Sequence, residues 1–254
     1  MKPILDTHAH LCDAAFDADR AEVLERARAA GITAVIAVGE DLADAEKNLR
    51  LADEHRMVRP AAGLYPTRLS LELAEKMRDF VRSHRNQIVA IGEVGLDYWM
   101  VKEESDREIQ RNIFRSFIEL GKELALPLNV HSRSAGHYAV RELLNAAATR
   151  VQLHAFDGKL SAAMPAVEAG FFFSIPPSIL RSEQKQKLAK NLPLSSLLIE
   201  TDSPVLGPAP QERNEPANAT ISAKMIAELK GITVEEVAEA VADNTQRLYG
   251  IAFS

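Results

Sequence analysis

The sequence predicts an α/β protein, a (β/α)8 TIM barrel with C-terminal helices, and three observations carry that prediction. Apolar runs with β-branched residues alternate with segments of helical period to the C-terminus. The 254 residues, 46% of them hydrophobic, suit one large core and show no internal repeat or low-complexity linker. Polar side chains recur at the ends of many apolar runs, where a barrel builds its site, instead of clustering at one switch point. A doubly wound open sheet shares the alternation, but no G-x-G-x-x-G follows the first strand.

The elements follow in order. Pro3 to Thr7 opens as a strand, followed by an amphipathic helix from Arg20 to Ala30. The β-branched run Thr33 to Val38 precedes a helix from Leu42 to His55, and Val58 to Gly63 precedes one from Leu71 to Ser83. Strands at Ile88 to Glu93 and Leu126 to His131 bracket a long helix, Asp106 to Leu124. Ala135 to Ala147, Ser161 to Ala169 and Ser182 to Lys190 alternate with strands at Val151 to His154, Phe171 to Ser174 and Ser196 to Thr201. Two further helices, Ala217 to Lys230 and Val234 to Asp243, close the chain, the second with Thr233 as its N-cap.

Asp6-Thr7-His8-Ala9-His10 puts two histidines two residues apart at the end of the first strand, so both imidazoles face the same way. Alone, H-x-H is a weak signal that a pair of surface histidines also produces. Later strand ends change its meaning: Glu93, His131, His154 and Asp202 occupy corresponding positions. Any one of them reads more readily as a structural hydrogen-bonding residue, but six on five strands do not, because buried polar groups are costly unless paired. His55, His84 and His137 lie in or near helices and read as surface or capping residues. Nitrogen and carboxylate donors without a cysteine cluster suit Zn, Mn or Ni, with Mg open where carboxylate and water dominate. Two divalent ions are expected, one taking His8, His10 and Asp202, the other His131 and His154, with Glu93 bridging them.

Arg133 follows His131 by two residues and returns to the same face, where its guanidinium would hold a phosphate or form an ion pair at the barrel mouth. Tyr98 and Trp99 follow the Glu93 motif; rim packing ranks ahead of stacking on a nucleobase. Lys185, Lys187 and Lys190 read as a solvated helix face, and Cys12 as a packing residue. A net charge of −6 argues against a long basic surface for gripping duplex DNA. The lone cysteine, the absence of a bilayer-length apolar run and Met1-Lys2-Pro3 leading straight into a strand give an expected cytoplasmic protein with no membrane association.

The ordered motifs, D-T-H-A-H, G-E-V-G-L-D-Y, L-P-L-N-V-H-S-R, the His154 strand, E-T-D-S-P, R-N-E-P and N-T-Q-R-L-Y-G, resemble the TatD family of metal-dependent deoxyribonucleases in the amidohydrolase superfamily. The resemblance covers nearly the whole chain and implies one TatD-like hydrolase domain over 1–254. It implies hydrolysis of DNA phosphodiesters by a metal-activated hydroxide, with His8, His10, Glu93, His131, His154 and Asp202 as ligands. Asp202 would take or relay the proton, and single-stranded or end-exposed DNA is the expected substrate. A small-molecule amidohydrolase or phosphoesterase on the same dinuclear site is the alternative. The chain departs from the family at Gly63-Leu64-Tyr65-Pro66, where G-x-H-P is usual, so Tyr65 brings a phenol to the substrate region in place of an imidazole. Arg68 is either a second positive charge there or a solvated loop residue, and Glu215 of R-N-E-P either braces the ligands or enters a helix. No sequence signal sets an oligomeric state.

Overall fold

The computed structural model describes residues 4–251, so the expected strand start at Pro3 and the Met1-Lys2-Pro3 lead-in lie outside the described residues. Eight parallel strands follow one another in sheet order β1 to β8, as a barrel requires and an open doubly wound sheet does not. They are β1 (Ile4–Ala9), β2 (Ile32–Ala37), β3 (Val58–Ala62), β4 (Ala90–Gly95), β5 (Leu128–His131), β6 (Val151–Leu153), β7 (Phe172–Ile175) and β8 (Leu197–Ile199). The intervening helices are α1 (Arg20–Ala29), α2 (Leu42–Glu54), α3 (Leu71–Ser83), α4 (Glu104–Leu124), α5 (Gly136–Asn145), α6 (Leu160–Glu168) and α7 (Glu183–Asn191), and α8 (Ala219–Lys230) and α9 (Val234–Tyr249) end the fold.

The barrel closes beyond the short β8, through the segment that carries Asp202. The His10 N–H donates to Ser203 O and the Asp202 N–H to His8 O, both at 2.8 Å. Asp6 reinforces the seam, its carboxylate accepting the Thr201 N–H at 2.8 Å and the Thr201 hydroxyl at 2.5 Å. Burial pushes the Asp6 carboxyl up to about 8 against the opposing pull of Thr201.

Helix placement follows the apolar spacing. α4 buries Ile113, Phe114, Phe117, Ile118, Leu120 and Gly121 on one side, the stripe a 3.6-residue period puts against the sheet. Each fully buried phenylalanine of that stripe contributes about 2–3 kcal/mol by transfer from water. Thr233 caps α9 with a full capping box, its hydroxyl accepting the Glu236 N–H and the Glu236 carboxylate accepting the Thr233 N–H. α9 runs on to Tyr249, past the expected stop at Asp243. The polar residues that suggest an end are used internally: Asn244 donates to Leu194 O and Leu197 O, and Thr245 to Val241 O. Its last turn brings Leu248 and Tyr249 into an apolar cluster with Ile36, Ala61, Ala90, Phe172 and Leu198. No helix among the described residues is long and apolar enough to cross a membrane.

Candidate metal centre

His8 lies inside β1, Glu93 inside β4 and His131 at the end of β5, while His10, His154 and Asp202 leave β1, β6 and β8 within three residues of the strand end. All six reach one point at the barrel mouth, as the sequence pattern requires. His8 Nε2 and His10 Nε2 lie 3.3 and 3.5 Å from Asp202 Oδ1, and 3.7 and 3.3 Å from Glu93 Oε2. On the other side of the Glu93 carboxylate, Oε1 lies 2.6 Å from His131 Nδ1 and 3.1 Å from His154 Nε2. The donors fall into overlapping triads, His8, His10 and Glu93 on one side and Glu93, His131 and His154 on the other, with His8, His154 and Asp202 a third.

These donors fit divalent cations. Glu93 Oε2 is buried and makes no well-formed hydrogen bond among the described residues; its neighbours are His10 Nε2 at 3.3 Å and His8 Nε2 at 3.7 Å, and a cation between them would satisfy an oxygen that is otherwise costly to bury. Nitrogen and carboxylate oxygen around that atom are the donor set of Zn, Mn or Ni.

Two of the imidazoles, His8 and His131, are oriented by hydrogen bonds to polar groups behind them, and His154 has a carboxylate close behind it. The His8 Nδ1–H donates to Asn129 Oδ1 at 2.8 Å, since the Asn129 amide nitrogen is committed to Thr7 O at 2.9 Å, and this leaves His8 Nε2 with its lone pair facing the centre. His131 is turned the other way: Nε2 lies 3.2 Å from Asp97 Oδ2 and Nδ1 faces Glu93. His154 Nδ1 lies 3.6 Å from Glu200 Oε2. Glu200 also accepts the Ala155 N–H at 2.7 Å and the Ser174 hydroxyl at 2.5 Å, and Gln152, Ser174 and the Tyr249 hydroxyl continue the buried network. His8 and His154 stack with ring centres 3.8 Å apart.

Electrostatics match the crowding. Burial disfavours a charged His10, but the Asp202 and Glu93 carboxylates outweigh it and push its pKa up to about 10. His154 is raised well above the usual histidine range, burial again being overcome, here by Glu200 and Glu93. Against burial, the surrounding imidazoles hold both Glu93 and Asp202 well below the usual carboxylate range.

Arg133 and Tyr65 line the same cavity of about 460 Å³ as His131, His154 and Asp202. The edge of the Tyr65 ring meets His131, 5.1 Å between centres, and burial raises the phenol pKa, so it stays protonated. Arg133 is exposed and, among the described residues, forms no ion pair. One expectation is corrected. Lys185 is not on a solvated face: it is buried, its ammonium donates to Ala155 O and Phe156 O, and burial pulls its pKa down to about 8. Of the two readings of Glu215, helix entry holds: it precedes the short helix Pro216–Asn218 and pairs with Arg26 at 2.7 Å, while Asn214 holds the Asp202 loop, donating to Thr201 O and Val205 O. Arg68 turns to Asp41 at 3.5 Å, and Cys12 is packed, its thiol against Val38 O.

Gly95 lets β4 and β5 approach. Its φ is +145°, and a Cβ there would sit 2.1 Å from His131 O. Gly95→Ala is expected to lower stability by about 3 kcal/mol or more and to displace His131, read as a fall in the denaturant midpoint together with lost metal retention.

Four imidazoles and two carboxylates converging at the mouth of a (β/α)8 barrel define a metal-dependent hydrolase. The profile of the TatD related DNase family matches residues 5–250, and the chain belongs to that family. A human protein named deoxyribonuclease TATDN3 is 44% identical over 258 residues, covering 97% of this chain and 94% of its own length. YabD of Bacillus subtilis, named an uncharacterized metal-dependent hydrolase, is 34% identical over 257 residues, covering 98% and 99%. The crystal structure of the TatD homologue YjjV from Escherichia coli K12 superimposes with a TM-score of 0.90 at 28% identity, covering 98% of each chain.

Proposed function

We propose that this hydrolase cleaves phosphodiester bonds in DNA, single-stranded or end-exposed, at a dinuclear centre held by His8, His10 and Asp202 on one side and His131 and His154 on the other, with Glu93 shared. The observation that carries the reading is the division of the Glu93 carboxylate: Oε1 faces His131 and His154, while Oε2 faces His8 and His10 and makes no well-formed hydrogen bond among the described residues. The family supports DNA as substrate, as does the name of the human relative. Residues 1–254 are read as one hydrolase domain, and the single cysteine fits a reducing, cytoplasmic setting.

Bound divalent cations would supply a water that ionises near neutral pH and a positive clamp for the phosphoryl oxygens. The chain's residues do the rest. Asp202, whose Oδ1 stands 3.3 Å from His8 Nε2 and 3.5 Å from His10 Nε2, accepts the proton of the attacking water. Arg133 holds a phosphate at the cavity rim through its planar guanidinium, and the protonated Tyr65 phenol donates a hydrogen bond to the substrate across the cavity from it. A net charge of −6 argues against an extended basic face for duplex and so favours strands that enter the cavity singly or by an end.

The test is metal-reconstituted protein on labelled single-stranded and duplex DNA beside a panel of small amides and phosphoesters. Cleavage of the single strand, abolished by EDTA and restored by added Zn, Mn, Mg or Ni, is expected, with duplex ends cut more slowly than single strands. Turnover of small amides or phosphoesters with no DNA cleavage would replace this reading by a small-molecule hydrolase on the same donors.

A further inference from the structure

We infer that Trp99 is a base-stacking platform at the entrance to the metal centre, taking an unpaired nucleobase next to the scissile phosphate while Arg133 and Lys102 take the neighbouring phosphates. The inference rests on the nuclease reading and specifies which part of the substrate the rim holds.

The two aromatics that follow the β4 motif have different fates. Tyr98 is 6% exposed, packs 5.0 Å from Tyr138 and accepts from Arg111 through its hydroxyl, so it is a rim-packing residue. Trp99 is 54% exposed, and the next residue, Met100, is 60% exposed. A large indole left in solvent is a poor contributor to the core and a good surface for another π-face.

Its position is fixed to the centre by a single carboxylate. Asp97 Oδ2 lies 3.2 Å from His131 Nε2, while Asp97 Oδ1 accepts the Met100 N–H at 2.8 Å and so closes the turn that displays Trp99. The Tyr98 N–H donates to Arg133 O at 2.9 Å, tying the same turn to the residue that lines the cavity. The turn that carries Trp99 and the imidazole of His131 thus share the Asp97 carboxylate, which places a base on Trp99 beside the donors.

Charge around the ring fits a nucleotide. The Arg133 guanidinium carbon lies 5.2 Å and the Lys102 ammonium 5.0 Å from the indole centre. On a chain of net charge −6, two cations on one exposed indole beside an acidic donor cluster form a local anionic-ligand site. Exposed cation–π contacts are weaker than a base–aromatic stack, so an arriving base displaces them and the cations pass to the flanking phosphates. Paired bases in a duplex interior cannot present a face to the ring.

Trp99 is the chain's only tryptophan, so emission excited at the red edge of the indole band, where tyrosine does not absorb, reports this residue alone. Metal-loaded protein titrated with a short single-stranded phosphorothioate oligonucleotide is expected to show quenching, and a strand of the same phosphates built without bases to show little. Trp99→Ala is expected to raise KM for single-stranded DNA about tenfold with a much smaller change in kcat, the size of one lost stack. The preference for the base-bearing over the base-free strand falls with it, and Trp99→Phe restores most of both. If the parent cleaves DNA but its fluorescence is not quenched and Trp99→Ala keeps the parental KM, the platform is overturned and the nuclease reading stands. If the parent cleaves no DNA, the nuclease reading fails on its own, and absence of quenching then removes the platform as well.

Discussion

Replacing Glu93 by glutamine is expected to cost about a thousandfold or more in kcat/KM and to reduce bound metal by at least one ion per chain. Glu93 turns its two oxygens to different pairs of histidines, Oε1 toward His131 and His154 and Oε2 toward His8 and His10, so in the proposed centre it would be shared. Glutamine has nearly the same shape, but one pair of histidines would then face an amide nitrogen, whose hydrogens would repel a cation held there, and the shared negative charge would be lost. Losing a metal's share of transition-state charge stabilisation costs several kcal/mol, and each 1.36 kcal/mol is tenfold in rate. Because glutamine fits the same volume, the circular dichroism spectrum should be that of the parent. Metal analysis of the purified variant and single-turnover cleavage decide the point: a full complement of metal with activity within tenfold of the parent would remove Glu93 from the bridging position.

Glu93 was legible because the (β/α)8 pattern assigns strand-end residues a direction, and the same holds for His8, His10, His131, His154 and Asp202. Strand bounds were less legible. β4 ends at Gly95 instead of Glu93, because a glycine reads as a strand terminator while in the fold Gly95 pairs with His131 at a separation no side chain permits. β8 stops at Ile199 because Thr201 turns to the Asp6 carboxylate. The groups that orient the imidazoles were the hardest to read. Asn129 and Tyr249 meet His8 and Gln152 across sequence separations of 121 and 97 residues, so only barrel closure makes them neighbours. Lys185 misled for a related reason: its spacing with Lys187 and Lys190 resembles a charged helix face, but the 3.6-residue period turns it inward to the Ala155 and Phe156 carbonyls. Asp97 did carry a signal, an acid four residues past Glu93 inside G-E-V-G-L-D-Y, but its partner His131 comes from the next strand.

The second large effect is expected at Asp202, where asparagine should lower kcat on DNA by about a hundredfold to ten-thousandfold, the usual contribution of a positioned proton acceptor. The substitution is well suited to isolate that role. Asp202 has a φ of +56°, a left-handed conformation that asparagine adopts as readily as aspartate, and its main-chain bonds to His8 O and Val205 N–H do not involve the carboxylate. Asparagine also keeps an oxygen where Oδ1 lies 3.3 Å from His8 Nε2, so a cation on that side retains a donor. What it removes is the capacity to accept a proton, together with one negative charge. Two measurements separate these losses. With metal content near the parental value, KM little changed and kcat collapsed, Asp202 acts as the proton acceptor. With metal lost in proportion to rate, and with rate returning at high metal concentration, its part is that of a ligand alone, and the attacking water must surrender its proton elsewhere. Near-parental turnover at parental metal content would sink both roles.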